Sequence, residues 1–145
     1  MLERIDDDLD VIYGRISAAG ISCSVHRDTV TEISGHPLVT IQYAYSDFSE
    51  DTNRTRIESV NRYKVIIAAP PDAAEGIPDF GTAFKSAMAL AKEISRLFLT
   101  AKDARRKDGS ITITRVDQEP IPRDGIVISG VVVEIIFRYP AEALP

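Results

Sequence analysis

Cys23, Ser24, His26 and His36 carry the side chains of this sequence best suited to act as nucleophile, base or metal ligand. Their spacing argues against each role. His26 and His36 stand ten residues apart with no acid or cysteine at ligand spacing, and two histidines are too few for a metal cluster. Ser24 lies two residues before His26 in what reads as extended chain, not on the sharp strand-to-helix turn that exposes a catalytic serine. Cys23 is the single cysteine, so no intrachain disulfide forms, and it reads as a small buried or half-buried residue. GISCS, GHPL and GIPDFG lack the spacing and the lysine of a phosphate-binding loop. Asp6, Asp7, Asp8 and Asp10 resemble a metal site only superficially. Neighbouring helical residues point in different directions, and the glycine-centred spacing of a calcium loop is missing. A solvated helix face is expected there. Paired acids such as Glu32 and Glu58 cannot be placed together from the sequence. No catalysis, cofactor or metal is expected.

Charge narrows the partners. A formal net charge of -5 and a pI near 5.0 disfavour a protein that neutralises phosphates broadly. Arg54 and Arg56 could touch nucleic acid, but Asp47, Glu50 and Asp51 nearby weaken that reading. Apolar residues make up 44% and charged residues 27% of the 145 residues, which suits one globular domain spanning 1–145. A chain of this size buries about two-thirds of the surface that its unfolded form exposes. The acidic start lacks an apolar signal segment, and no apolar run approaches the ~18 residues of a membrane span. Synthesis in a reducing compartment, away from membranes, is expected.

The elements around these residues can be read from periodicity. Leu2, Ile5, Leu9, Ile12 and Ile16 recur at helical spacing and predict a helix over 3–19, with Gly20 ending it. Residues 21–27 suit a short edge strand or an extended connection. LVTIQYAY, over 38–45, is a strand whose Val39, Ile41, Tyr43 and Tyr45 should face the core. Residues 46–59 are polar and read as a mobile loop or an irregularly paired hairpin arm. Residues 62–69 form a central strand, with Tyr63, Val65, Ile67 and Ala69 on one side, stopped by Pro70 and Pro71. The segment 80–100 is the longest strongly helical stretch. Phe84, Ala87, Ala91, Ile94 and Phe98 form its apolar stripe, which Met88, Leu90 and Leu97 widen. The last third reads as a hairpin of 111–117 and 126–139, joined by an irregular connection over 117–125. Val131, Val133, Ile135 and Phe137 face inward, and Gly130 suggests a bulge. The chain thus reads as an α+β domain. A mainly antiparallel sheet of four to five strands is covered by a long helix, with the N-terminal helix beside it.

Three segments carry a resemblance: the N-terminal amphipathic helix leading to a variable two-strand region, NRYKVIIAAP feeding an alanine-rich helix that ends in RLFL, and the closing strand GVVVEIIFRYP. In this order they resemble the tail terminator and tail-completion proteins of long-tailed bacteriophages, closest to the family of Mu-type prophages. The likeness is one of layout across most of the chain, and no single residue in it is diagnostic. It implies a structural virion protein made in the bacterial host cytoplasm and located at the tail–neck junction. Copies would form a homo-oligomeric, hexameric ring that ends tube polymerisation and docks the neck. The implied partners are the tail tube or sheath protein and the neck or connector protein. DNA only passes through the lumen, no membrane is involved, and the family supplies no catalytic residue. Another neck or tail-tube component, or a small ligand-binding or enzymatic α+β module, would also suit the element order.

Polar loops on a rigid scaffold are where partner contacts usually sit. Arg54, Arg56 and Arg123 are therefore the candidate anchors, since arginine can grip a neighbour's carboxylate with two parallel hydrogen bonds. Asp47, Glu50 and Asp51, with Asp6 to Asp8 of the first helix, are the acids that could receive them.

Overall fold

The computed structural model describes residues 4–27, 38–50, 57–68, 72–74, 77–100, 102, 110–123 and 126–141. The order of elements is α1 (Arg4–Ala18), β1 (Ser24–His26), β2 (Leu38–Glu50), β3 (Ile57–Ala68), β4 (Asp72–Ala74), β5 (Ile77–Asp79), α2 (Phe80–Arg96), β6 (Ser110–Arg123) and β7 (Ile126–Ala141). Five strands form one sheet in the order β1-β2-β3-β7-β6, while β4 and β5 make a separate two-stranded ribbon. Every pairing in the large sheet is antiparallel except β1 with β2, which is parallel. The α+β class, the mainly antiparallel sheet and its two covering helices are as the periodicity indicates.

Register explains the core. The rows Val39–Ile67–Val131 and Ile41–Val65–Val133 run across β2, β3 and β7, and all six side chains are fully buried. β-Branched residues stacked in this way fill a pleated face efficiently. The helices cover that face. α1 lays Leu9, Ile12 and Ile16 onto it, and α2 lays Ala83, Ala87, Ala91, Ile94 and Phe98. Ala83, Ala87 and Ala91 let the α2 backbone approach the strands closely, while Phe98 packs from just past its end. Met88, placed by periodicity at the margin of the stripe, is exposed. Gly20, at φ +70°, takes the left-handed conformation that ends α1. Arg15 then ties the two helices together. It donates to the Leu97 carbonyl at 3.2 Å, where α2 has run out of amides, and lies over the Phe98 ring.

Four expectations need correction. Residues 46–50 and 57–59 are not loop: β2 and β3 continue through them in paired register as far as Glu50↔Ile57. The only irregularity in that pair lies earlier, between Tyr43 and Tyr45. That bulge shifts the alternation, so Tyr45 leaves the core side, pairs with Arg62 on the opposite face and is 52% exposed. Likewise, 117–123 are strand. Pro120 and Pro122 stay within β6 because it is the outer strand, and an edge position can spare ladder donors. Gly130 is paired regularly with Glu119, and the bulge of this hairpin lies between Ile113 and Arg115 instead. Residues 72–74 and 77–79 pair with each other, as β4 and β5, before α2 begins.

Candidate interaction surface

Two polar constructions stand on the sheet, one on each face. The first lies under α1. Asp8 is placed by helical geometry three residues after Ile5 and four before Ile12, on the stripe that meets the strands. It is 2% exposed, so the acidic run is a solvated face everywhere except here. Its carboxylate accepts hydrogen bonds from the hydroxyls of Tyr63 on β3 and Tyr139 on β7, and from the Asn61 side-chain amide at 3.2 Å. Asn61 accepts in turn from the Ser46 hydroxyl, and Ser46 meets the Tyr43 hydroxyl, both at 2.7 Å. Arg4 stacks over the Tyr139 ring at 4.3 Å. Burial pushes the Asp8 carboxyl above its ordinary value, and the hydrogen bonds from Tyr139, Tyr63 and Asn61 offset part of that shift. Burial and the neighbouring carboxylate also push the Tyr63 phenol far up, so it remains a donor. The network fastens the start of α1 to the middle of the sheet.

The second construction crosses the face that carries no helix among the described residues. Arg62 of β3 reaches diagonally to Asp47 of β2 and to Glu134 of β7, each at 3.2 Å. Glu134 also accepts from the Thr114 hydroxyl of β6 at 2.8 Å. One polar chain therefore links four strands. Asp47 holds the Arg62 guanidinium above its already high pKa. Tyr45 shields the same group, its ring centroid 5.3 Å from the guanidinium carbon. Farther along the face, Arg138 pairs with Glu58 at 3.7 Å, and Arg115 pairs with Asp117. Lys64 stands beside Glu134 in register. The cations Arg62, Lys64, Arg115 and Arg138 thus alternate with the carboxylates Asp47, Glu58, Asp117 and Glu134. Beneath their stems Val60, Val132 and Ile136 are buried, as long charged side chains allow. A groove of about 290 Å³ opens there, between Tyr45, Lys64, Arg115 and Glu134.

The residues singled out by sequence are dispersed. Asp47 sits on the polar chain, already paired with Arg62 and about half exposed. Glu50 ends β2 opposite Ile57, and Arg123 ends β6 opposite Ile126. Arg54, Arg56 and Asp51 lie outside the described residues. Asp6 and Asp10 pair with Arg27 at 3.1 and 2.7 Å, fixing α1 to the end of β1. Ser24 and His26 do touch, hydroxyl to Nε2 at 2.8 Å, as alternate residues of one strand can. Cys23 is half-buried, and burial pushes its thiol up.

Sequence reasoning named Asp8 as an acceptor for a neighbour's arginine, which its burial and its three internal donors rule out, and it missed Asn61, Tyr139, Arg62 and Glu134. For Asp8 the signal was present, because its spacing puts it on the apolar stripe. Tyr63 and Tyr139, on inward-facing strand positions, also call for a buried acceptor. Nothing comparable marks Arg62 with Glu134, which meet only through strand pairing. No group of histidines, cysteines or acids suited to a metal ion is present among the described residues. None of the described helices is long and apolar enough to cross a membrane.

No family model matches the chain, and no curated protein matches it. Among solved structures it is similar to a chain in the virion of a native gene transfer agent particle. The two share 13% sequence identity over 95% of this chain and 88% of that chain, with a TM-score of 0.48.

Proposed function

We propose that this chain is a structural protein of a phage-type virion, and that copies of it form a ring at the head-proximal end of a tail. In this reading the ring ends tube polymerisation, docks the neck and carries no catalysis. The observation that carries the proposal is the helix-free face. Its cations and carboxylates are interleaved and largely paired within the chain. A wall of this kind offers passing DNA neither a field of bare cations to grip nor a field of bare anions to repel it. The helices on the other face, with the long paired arms β2–β3 and β6–β7, leave strand edges for neighbours. The element order is also the one on which the resemblance to tail terminators rests.

The ring needs a head-to-tail interface that closes on itself. Arg54, Arg56 and Arg123 are its proposed anchors, with Glu50 and Asp51 as acceptors. The test is to assemble tail tubes from the tube protein of the same particle with and without this chain, and to image the ends. Tubes of limited length bearing a terminal ring are expected. Tubes that elongate unchanged, with bare ends, would refute the reading. Changing Arg54→Glu and Arg56→Glu together should leave folding intact and impair capping. Intact capping by that double variant would move the contact to the sheet edges.

A further inference from the structure

We infer that the outer edge of β6 pairs antiparallel with the same edge of a second copy, in a register centred on Val116. β6 is the terminal strand of the sheet, so among the described residues no strand pairs with its outer side. Its middle is open to solvent. Val116 is 43% exposed, and the Arg115 and Asp117 side chains are 68% and 47% exposed. These two charges flank Val116 and, within one chain, pair with each other along the strand. An edge of this length with an exposed apolar residue at its centre invites a second strand.

The charges select which strand and which register. In an antiparallel pair centred on Val116, Arg115 of each copy stands opposite Asp117 of the other, and Val116 meets Val116. Opposite charges directly across a ladder are favourable, and like charges are unfavourable. A parallel, in-register pair would put arginine against arginine and aspartate against aspartate. Sliding the antiparallel register to centre on Arg115 or on Asp117 also sets one like-charged pair face to face. Only the Val116-centred arrangement satisfies both charges twice with no such clash. Pro120 limits the pairing on one side because it has no amide hydrogen to offer. The contact is two-fold, whereas a cyclic ring requires a head-to-tail interface, so it is separate from the proposed ring.

The test uses the full chain and sedimentation across a concentration series, with thermal melts as folding controls. The wild-type protein should self-associate to a dimer. Arg115→Asp leaves only acids at the two flanking positions, and Asp117→Arg leaves only cations. Each should weaken self-association roughly tenfold or more, because both cross-strand pairs of the dimer become like-charged. Mixing the two variants should restore a dimer, because each supplies what the other lacks. Exchanging both residues, Arg115→Asp with Asp117→Arg, should restore self-association within one sequence. A wild-type chain that stays monomeric at the highest soluble concentration would overturn the inference. So would a dimer that survives both single changes, or a mixture of the two variants that fails to restore it.

Discussion

The Asp8 carboxylate of α1 accepts a hydrogen bond from the Tyr63 hydroxyl of β3 at 2.5 Å, although 55 residues separate them. Tyr63 is itself fully buried, edge-on to Phe137 at 5.4 Å between ring centroids. The acid therefore fixes where α1 begins to lie on the sheet. Asp8→Ala would strand the hydroxyls of Tyr63 and Tyr139 and the Asn61 amide together. We expect a loss of about 2–4 kcal/mol in urea unfolding, since buried donors left unpaired are costly. Tyr63→Phe and Tyr139→Phe should each cost less, and adding both to Asp8→Ala should recover part of its loss.

The same carboxyl makes stability depend on pH. Its pKa is raised above 3.8 in the folded chain, with burial the largest cause. The native state thus holds this proton more tightly than the unfolded chain does. The contribution is fully present below pH 3.8, the unfolded value, and is lost as pH rises through the folded value. Relative to Asp8→Asn, the wild type should lose ground with rising pH across that window and then level off. Paired urea titrations from pH 3 to 7 read this directly, and a difference moving the opposite way would mean that the hydrogen bonds outweigh desolvation.

Helix α2 gives a test of orientation. Ala91 is 1% exposed against the sheet, whereas Ala89 is exposed. Ala91→Asp should cost several kcal/mol, roughly 3 or more, by placing a charge in the core. Ala89→Asp should stay within about 0.5 kcal/mol, as ordinary surface changes do. Equal melting temperatures for the two variants would show that the helix has been assigned the wrong inner face.

On the helix-free face, Arg62 serves two acids while its side chain is only 22% exposed. Arg62→Ala should lower stability by about 1–2 kcal/mol, chiefly by taking the guanidinium from the more buried Glu134, which keeps only its Thr114 hydrogen bond. Arg62→Lys should recover little of this, because a single ammonium cannot span both acids as the planar guanidinium does. Added salt should narrow the difference from wild type only slightly, since partly buried pairs are weakly screened.

Ser95 of α2 is buried, and its hydroxyl has no hydrogen-bond partner among the described residues. Ser95→Ala removes that unsatisfied group and raises helix propensity. A gain of up to about 1 kcal/mol is expected in a denaturant melt. Destabilisation by more than that would reveal a partner for the hydroxyl.

Much of this architecture was legible from local periodicity. The stripe of α2 and the inward residues of β3 and β7 follow from side-chain spacing, which depends only on the geometry of one element, and Gly20 marks the end of α1 by the conformations open to glycine. The lengths of the hairpins were not. Residues 46–50, 57–59 and 117–123 are mostly polar or proline-bearing, and their strand character comes from ladders with partners already in place. Asp8 lay between these cases, since its spacing was correct while its identity suggested solvent.

By itself, then, the sequence determined the class of the fold, the faces of its helices and the inward residues of its central strands, because burying a periodic apolar set leaves little choice of orientation. Only the tertiary structure decided the rest. Strand register brought Arg62 between Asp47 and Glu134, and a one-residue bulge turned Tyr45 outward. The packing of α1 on β1 and β2, with Asp8 reaching over to β3 and β7, gave that acid its three donors. Each of these depends on which residues of distant segments stand opposite one another, and pairing across the sheet settles that, not spacing along the chain.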